Sequence, residues 1–444
     1  MNKLRIVPLG GGPGTVTSNM WLYEYGGEAI IVDCGIGFPE DKVSDDILLP
    51  DITYLKTKHL QLHGILLTHG HDDHYAALPH ILPYLDSSPP IYGSRLTAAF
   101  AQDKLEEFGL KHKIQVISET DQIKLGPYRI DPIHITHSVP DAFHYLITTP
   151  VGKIYHGSDF KFDLTPLDHW PPNFAKIVAS SSGGVLCLLA DCLRSERAGM
   201  TPSEVSLTPA LKRELNHWGG RLIFTTMSSQ IHRIQQAIDV ALGYGRRLCF
   251  IGRSMERTSQ IARELGYLRF PQKAVVKSNQ LKRFKDFQLC LIISGSQGQE
   301  ASSLTRYAGG KHKIIKPKVT DKIVYSTDII PGNEQAVFKV IDKLVRLGTS
   351  VVYQETTDDL HVSGHASATE QQLLMELVNP QYLYPIGGSF RHMYRFAQLA
   401  KQLGFKQEQC LLPDFGQVVE FDESGRSFLA ETLPLNLPRI NQNK

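Results

Sequence analysis

Residues 66–79 read LLTHGHDDHYAALP, and this short stretch decides how the rest of the chain is read. An apolar run stops, and His69, His71, Asp72, Asp73 and His74 follow within six residues. Side chains alternate across a strand, so His69 and His71 share one face as the chain leaves a sheet and can reach one cation. Asp73 and His74 follow where the next turn begins and can reach a second cation beside the first. Neutral imidazoles and carboxylates suit zinc or manganese, and the absence of thiolates argues against a structural cysteine–zinc site. A solvated polar turn has no use for three imidazoles at this spacing.

Around this stretch, strand-like runs alternate with helical patterns, which predicts layered α/β structure. The runs EAIIVDCG, YRIDPIHITHS and KIYHGSDF place Asp33, His137 and Asp159 at strand ends. Singly, each is an ordinary turn former. Together with the histidine cluster they make seven residues able to converge on two adjacent cations, the pattern of a metallohydrolase rather than a binding module.

The chain has 444 residues, enough for two or three units, with 42% hydrophobic and 21% charged residues. Its formal net charge is +2, so any nucleic-acid site must be a local groove. The six cysteines sit mostly in apolar runs without a CxxC pair and read as small buried hydrophobes. The N-terminus MNKLRIVPLGGGPG has no signal-peptide pattern, and no apolar run approaches the ~18 residues of a membrane span. The expectation is a soluble cytoplasmic protein with no membrane association and a disordered tail, NLPRINQNK.

A second α/β stretch follows residue 204, and four of its strands end in small polar residues: TTMSSQ, IGRS, ISGSQG and YSTD. Ligands of open α/β sheets sit beyond the carboxyl ends of the strands, where exposed N–H groups and hydroxyls suit phosphate oxygens. Ser294, Gly295 and Ser296 are candidates there, with His232, Arg233 and Arg253 supplying positive charge.

THGHDDH, with Asp33, His137 and Asp159, resembles the signature of the metallo-β-lactamase superfamily. PDITYL, GSDFKFD, SSQIHRIQQAI, GRSM, IARELGYL, SGSQG, IPGNE and HVSGHAS together resemble the ribonuclease J family of the β-CASP branch, from about residue 3 to about residue 425. The resemblance implies a four-layered αββα metallo-β-lactamase core with an inserted α/β β-CASP domain. The expected boundaries are 1–204 for the first part of the core, 205–350 for the insert, 351–430 for the return to the core and 431–444 for the tail.

By matching positions, His69, His71 and His137 would hold one metal and Asp73 and His74 a second, with Asp159 bridging and Asp33 orienting the histidine loop. His361, Ser363 and Gly364 would help hold a phosphate, and His365 would meet the scissile phosphate, donating a proton or stabilising charge. Asp73 would orient the attacking nucleophile, and Asp191 would organise the seam between domains. The cofactor would be Zn²⁺ or Mn²⁺, up to two ions.

Three departures stand out. Relatives carry a histidine ligand of the second metal where this chain has Gly387, and His392 is not expected to replace it. The loop GGGPGTVTSN lacks the usual glutamate, and the additional C-terminal domain of many relatives, which helps them oligomerise, is absent from these 444 residues; a homodimer is the assembly considered. The expected function is metal-dependent hydrolysis of single-stranded RNA, 5′-to-3′ as an exonuclease and also as an endonuclease. The rivals are a weakly active or non-catalytic RNA-binding relative and a small-molecule ester or thioester hydrolase, against which the phosphate-reading insert argues.

Overall fold

The computed structural model describes residues 2–441 apart from 13–15, 40–45, 217, 331 and 358. Strand alternation builds the first half. Along Met20–Tyr25, Trp21 and Tyr23 point to one side and Met20 and Leu22 to the other, and Glu28–Val32 divides in the same way. Both faces are apolar, so both must be covered.

One face of this eight-stranded sheet packs on a second sheet. The order of the first is Ser427–Thr432, Gln417–Phe421, Leu4–Gly10, Met20–Tyr25, Glu28–Val32, Gln61–Leu66, Ile91–Gly93 and Ile114–Val116. The second runs Pro380–Ile386, Val185–Asp191, Lys153–Gly157, Ala142–Thr148, Tyr128–Ile135 and Ile123–Leu125. Trp21, Tyr23, Ile30 and Val32 interleave with Tyr128, Phe143, Tyr145 and Tyr384 between the sheets. The outer face of the first sheet is covered by helices that include Arg95–Glu107. The outer face of the second is covered by Phe174–Ser181, Ala368–Val378 and Phe390–Gln402. The result is the expected four-layered αββα core.

A third, all-parallel sheet forms the insert, in the order Arg247–Ile251, Leu289–Ile293, Leu222–Thr225, Lys322–Tyr325 and Ser350–Val352. Its helix Ile231–Gly243 shares one apolar cluster with the core's first sheet, so the core continues across the seam. Among the described residues, no helix is long and apolar enough to cross a membrane.

The tail corrects the sequence reading. Arg439–Asn441 forms a strand antiparallel to Asp46–Leu48, and Leu49 N donates to Pro438 O, so this stretch is not disordered. Its composition is that of a loop, and the pairing is supplied by a strand nearly the whole chain away. Residues 13–15 of the glycine-rich loop, Pro331 of the IPGNE motif and residues 442–444 lie outside the described residues.

Candidate metal centre

The strand Gln61–Leu66 delivers Leu67, Thr68 and His69 to the rim of the core. Asp33, left-handed at φ 63° just past its own strand, accepts from Thr68 N at 2.8 Å and Thr68 Oγ1 at 2.8 Å. It also lies 2.7 Å from His74 Nδ1. A carboxylate there accepts the hydrogen bond that His74 Nδ1–H donates and leaves His74 Nε2 as the ligating nitrogen. The turn depends on Gly35: a Cβ there would stand 1.6 Å from Asp73 O.

Three imidazole nitrogens then converge. His69 Nε2 and His137 Nε2 each lie 3.1 Å from His71 Nδ1. Tetrahedral zinc with bonds of about 2.0–2.1 Å places its nitrogens about 3.4 Å apart, so the spacing fits one ion. His137 donates its Nδ1 proton to Gly364 O at 2.8 Å, which fixes Nε2 as the inward nitrogen. Asp159 Oδ2, 3.8 Å from His69 Nε2, completes a four-donor group of His69, His71, His137 and Asp159.

A second group shares Asp159 with Asp73 and His74; His74 Nε2 is 3.6 Å from Asp73 Oδ2 and 3.4 Å from Asp159 Oδ2. It has three protein donors. Position 387, left-handed at φ 72°, presents no side chain; a Cβ there would stand 3.5 Å from Asp191 Oδ1 and 3.9 Å from Asp159 Oδ1. His392 is held elsewhere, with Nδ1 3.2 Å from Ser389 N and Nε2 3.7 Å from Glu196.

Protonation follows the crowding. Burial, then the neighbouring imidazoles, hold His69 and His137 well below the usual histidine value, and burial with His74 takes His71 to about 3. These rings stay neutral, the form that binds metal. Burial also lifts Asp73 to about 6, with Asp159 repelling it and His74 opposing the rise. Burial opposes charge on His365 as well, but Asp191 and Asp159 outweigh it and raise the ring to about 9.

His365 Nδ1 is 2.7 Å from Asp191 Oδ2, and Nε2 is 4.0 Å from Asp159 Oδ2, so His365 stands over the second group with one nitrogen inward. Ser363 Oγ accepts from His365 N at 3.1 Å. His361 is half-buried, and its desolvation, then Arg233, Lys161 and Arg194, hold it well below its usual value. The HVSGHAS segment is thus brought to the metal centre.

The other phosphate candidates are placed differently. Arg233 is 1% exposed; it donates to both oxygens of Glu204, to Val362 O and to Ser326 O, so its charge is committed to the seam rather than offered to a ligand. His232 Nε2 lies 3.1 Å from Asp168 Oδ2. Ser294, Gly295 and Ser296 follow Leu289–Ile293; Ser294 N donates to Ile251 O, and a Cβ on Gly295 would meet Ser302 Oγ at 2.3 Å. Thr68, Asn19 (Nδ2 3.2 Å from His74 Nε2) and Ser138 (Oγ 3.3 Å from His71 Nε2) support the ligands and carried no sequence signal beyond being polar.

Comparison with known proteins adds three matches to family models. The metallo-beta-lactamase superfamily model matches residues 13–175, that of the ribonuclease J beta-CASP domain residues 219–344, and that of the Zn-dependent metallo-hydrolase RNA specificity domain residues 353–413. The chain is similar to ribonuclease J of Thermus thermophilus, 39% identical over 425 residues, covering 94% of this chain and 74% of that protein. It is also similar to ribonuclease J of Helicobacter pylori strain 26695, 37% identical over 422 residues, and covers 94% of this chain but 61% of that longer protein. In fold it is like a protein of unknown function from Enterococcus faecalis V583, with TM-score 0.64, 15% identity, and coverage of 94% of this chain and 100% of that one.

Proposed function

Because the chain belongs to the ribonuclease J family, we propose that it is a metal-dependent ribonuclease that hydrolyses phosphodiester bonds of single-stranded RNA. Its mode is 5′-to-3′ exonucleolytic with endonucleolytic cleavage as a second mode, and its setting is the cytoplasm, as a homodimer. The observation that carries this reading is the pair of donor groups sharing Asp159, with His365 standing over them. Residues 205–350 act as the inserted unit that closes over the RNA.

His69, His71, His137 and Asp159, and Asp73 and His74 with the shared Asp159, would hold Zn²⁺ or Mn²⁺, which when bound would lower the pKa of water and neutralise phosphate charge. Asp73, a member of the second group, accepts a hydrogen bond from the attacking water and aligns it with phosphorus. The attacking water oxygen adds to phosphorus and gives up a proton to solvent, the bond to the leaving oxygen breaks, and His365 Nε2 gives that oxygen its proton and is reprotonated from solvent. Asp191 keeps Nδ1 engaged, so the ring can present only Nε2 to the substrate. His361, Ser363, Gly364 and the Ser294–Gly295–Ser296 turn are the proposed phosphate contacts, with His232 at the margin and Arg233 positioning the seam behind them. Every nucleotide presents the same phosphate, so little sequence preference is expected.

The test is an assay on RNA labelled at a 5′-monophosphate end with Mn²⁺, Mg²⁺ or Zn²⁺, reading product lengths. Release of labelled mononucleotide from the start marks the exonuclease, and internal fragments mark the endonuclease. A second reading, a weakly active or non-catalytic RNA-binding relative, is favoured by Gly387, which leaves the second group with three donors. RNA binding without cleavage under all three ions would establish that reading instead.

A further inference from the structure

Two segments at one end of the inserted sheet are strongly basic. Residues 273–285, KAVVKSNQLKRFK, and residues 306–318, RYAGGKHKIIKPK, each hold five lysines or arginines and no acid. All ten of these cations are exposed. In a chain of net charge +2 this is a local concentration, because without the ten the 45 acidic residues outnumber the remaining basic ones.

The fold joins the two segments. Val276, Leu281 and Ile315 belong to one apolar cluster, with Phe284 packed against it, so the apolar residues plug inward and the cations are left facing out. Lys318 Nζ reaches both oxygens of Asp286, at 2.7 and 2.8 Å, and among the described residues this is the one salt bridge the ten make. The backbone beneath is fixed by a buried charge network. Arg221 Nη2 donates to Lys316 O at 2.7 Å and to Asp321 Oδ2 at 2.6 Å, while Lys318 N and Tyr307 Oη donate to the same carboxylate.

This face points away from the metal centre. The segments end just before the strands Leu289–Ile293 and Lys322–Tyr325 begin, whereas the far ends of those strands meet the seam, where Ser326 Oγ donates to Leu360 O. A five-residue strand puts roughly 16 Å between the two ends.

We propose that this face is a second RNA contact, an exosite that holds the phosphate backbone of a long RNA outside the cleft; it rests on the ribonuclease reading above. Exposed cations, of which Lys318 alone makes a salt bridge among the described residues, suit a repeating anion and read no sequence. Phe287 and Ile314, each 50% exposed, stand among them and offer apolar surface to unpaired bases. The acidic excess elsewhere repels a polyanion, so its encounters are steered to this end.

The experiment uses the full chain and a variant with Lys282→Gln, Arg283→Gln, Lys285→Gln, Lys313→Gln and Lys316→Gln. Affinity is measured for 5′-monophosphorylated RNAs with cleavage-resistant linkages, one of about 6 nucleotides, within reach of one cleft, and one of about 40. The variant should lose at least tenfold on the long RNA. Its slope of log affinity against log salt should be shallower by about 0.7 for each lost contact. Binding of the short RNA, and cleavage of the same short RNA made with ordinary linkages, should be unchanged, which also shows that the variant is folded. Unchanged affinity for the long RNA overturns the exosite alone, and equal loss on both RNAs overturns its separation from the cleft. An effect confined to binding of anionic phosphatidylserine vesicles overturns RNA as the partner. Failure of the unmodified protein to bind either RNA overturns the ribonuclease reading itself.

Discussion

Arg233 Nη2 stands 2.9 Å from Oε1 and 3.0 Å from Oε2 of Glu204, an ion pair buried where the insert meets the metal-binding core. Lys161 Nζ approaches the same carboxylate at 3.5 Å. Removing one partner of such a pair strands the other charge, at a cost of about 3–5 kcal/mol. Arg233→Ala should therefore lower the unfolding midpoint clearly at pH 7. Burial pushes Glu204 up, but Arg233 and Lys161 outweigh it and hold the carboxyl below its ordinary value. The stabilisation from this group is complete above the usual glutamate range, around pH 4.3, and is lost as pH falls through the lower folded value. In the variant, burial dominates and the sign reverses. The gap between the two midpoints should narrow from pH 7 toward pH 4; a gap that widens on acidification contradicts the assignment.

His71 contributes one of the three converging nitrogens and is the least buried of them, so its loss disturbs packing little. His71→Ala should reduce bound metal, by elemental analysis after dialysis, together with cleavage, while the unfolding midpoint of the metal-free protein stays near that of the unmodified chain. Unchanged metal content would show that the group does not hold the ion.

Gly364 lies against the metal centre with no room for a side chain. A Cβ there would be 2.7 Å from His137 Cε1 and 2.8 Å from Ser138 Cβ. Gly364→Ala must push either the HVSGHAS segment or the His137 ring, which displaces the residue 364 carbonyl from the ring whose tautomer it fixes. Loss of such a supporting bond typically costs about 10–100-fold in metal affinity or activity. A metal titration of Gly364→Ala that overlays the unmodified protein would refute this close-packing role.

The legible parts of the molecule were those encoded over short distances. THGHDDH places four candidate ligands on one strand end and its turn, and the strand-end positions of Asp33, His137 and Asp159 follow from period-two patterning. What escaped the sequence is set by tertiary pairing. Arg233 read as a free cation because Glu204, its partner, is 29 residues away on a separate element. The contact of Asp191 with His365 spans 174 residues, and the tail strand finds Asp46–Leu48 across nearly the whole chain. The two basic segments went unread because a net charge of +2 hid them, and the Lys318–Asp286 bridge and the shared apolar cluster show that they form one face.

Gly387 leaves the second donor group without a side chain from this position. Asp73, His74 and Asp159 are three protein donors, enough for an open catalytic site but one fewer than the group around His71. The protein should therefore retain one ion per chain after dialysis and require added Mn²⁺ or Mg²⁺ for full rate. A side chain at 387 would begin 3.9 Å from Asp159 Oδ1, close enough for an imidazole to join the second group. The backbone there is left-handed, φ 72°, which costs a non-glycine residue about 1 kcal/mol, although histidine is among those that tolerate it better. Gly387→His should accordingly lower the unfolding midpoint slightly without metal, raise retained metal toward two ions per chain, and reduce the added metal needed for half-maximal rate. His392→Ala, by contrast, should leave metal content unchanged, since its ring is bonded at Ser389 and turned toward Glu196. Two ions retained by the unmodified protein would contradict this account and point to Asp191, whose Oδ1 faces the same space, as the missing donor.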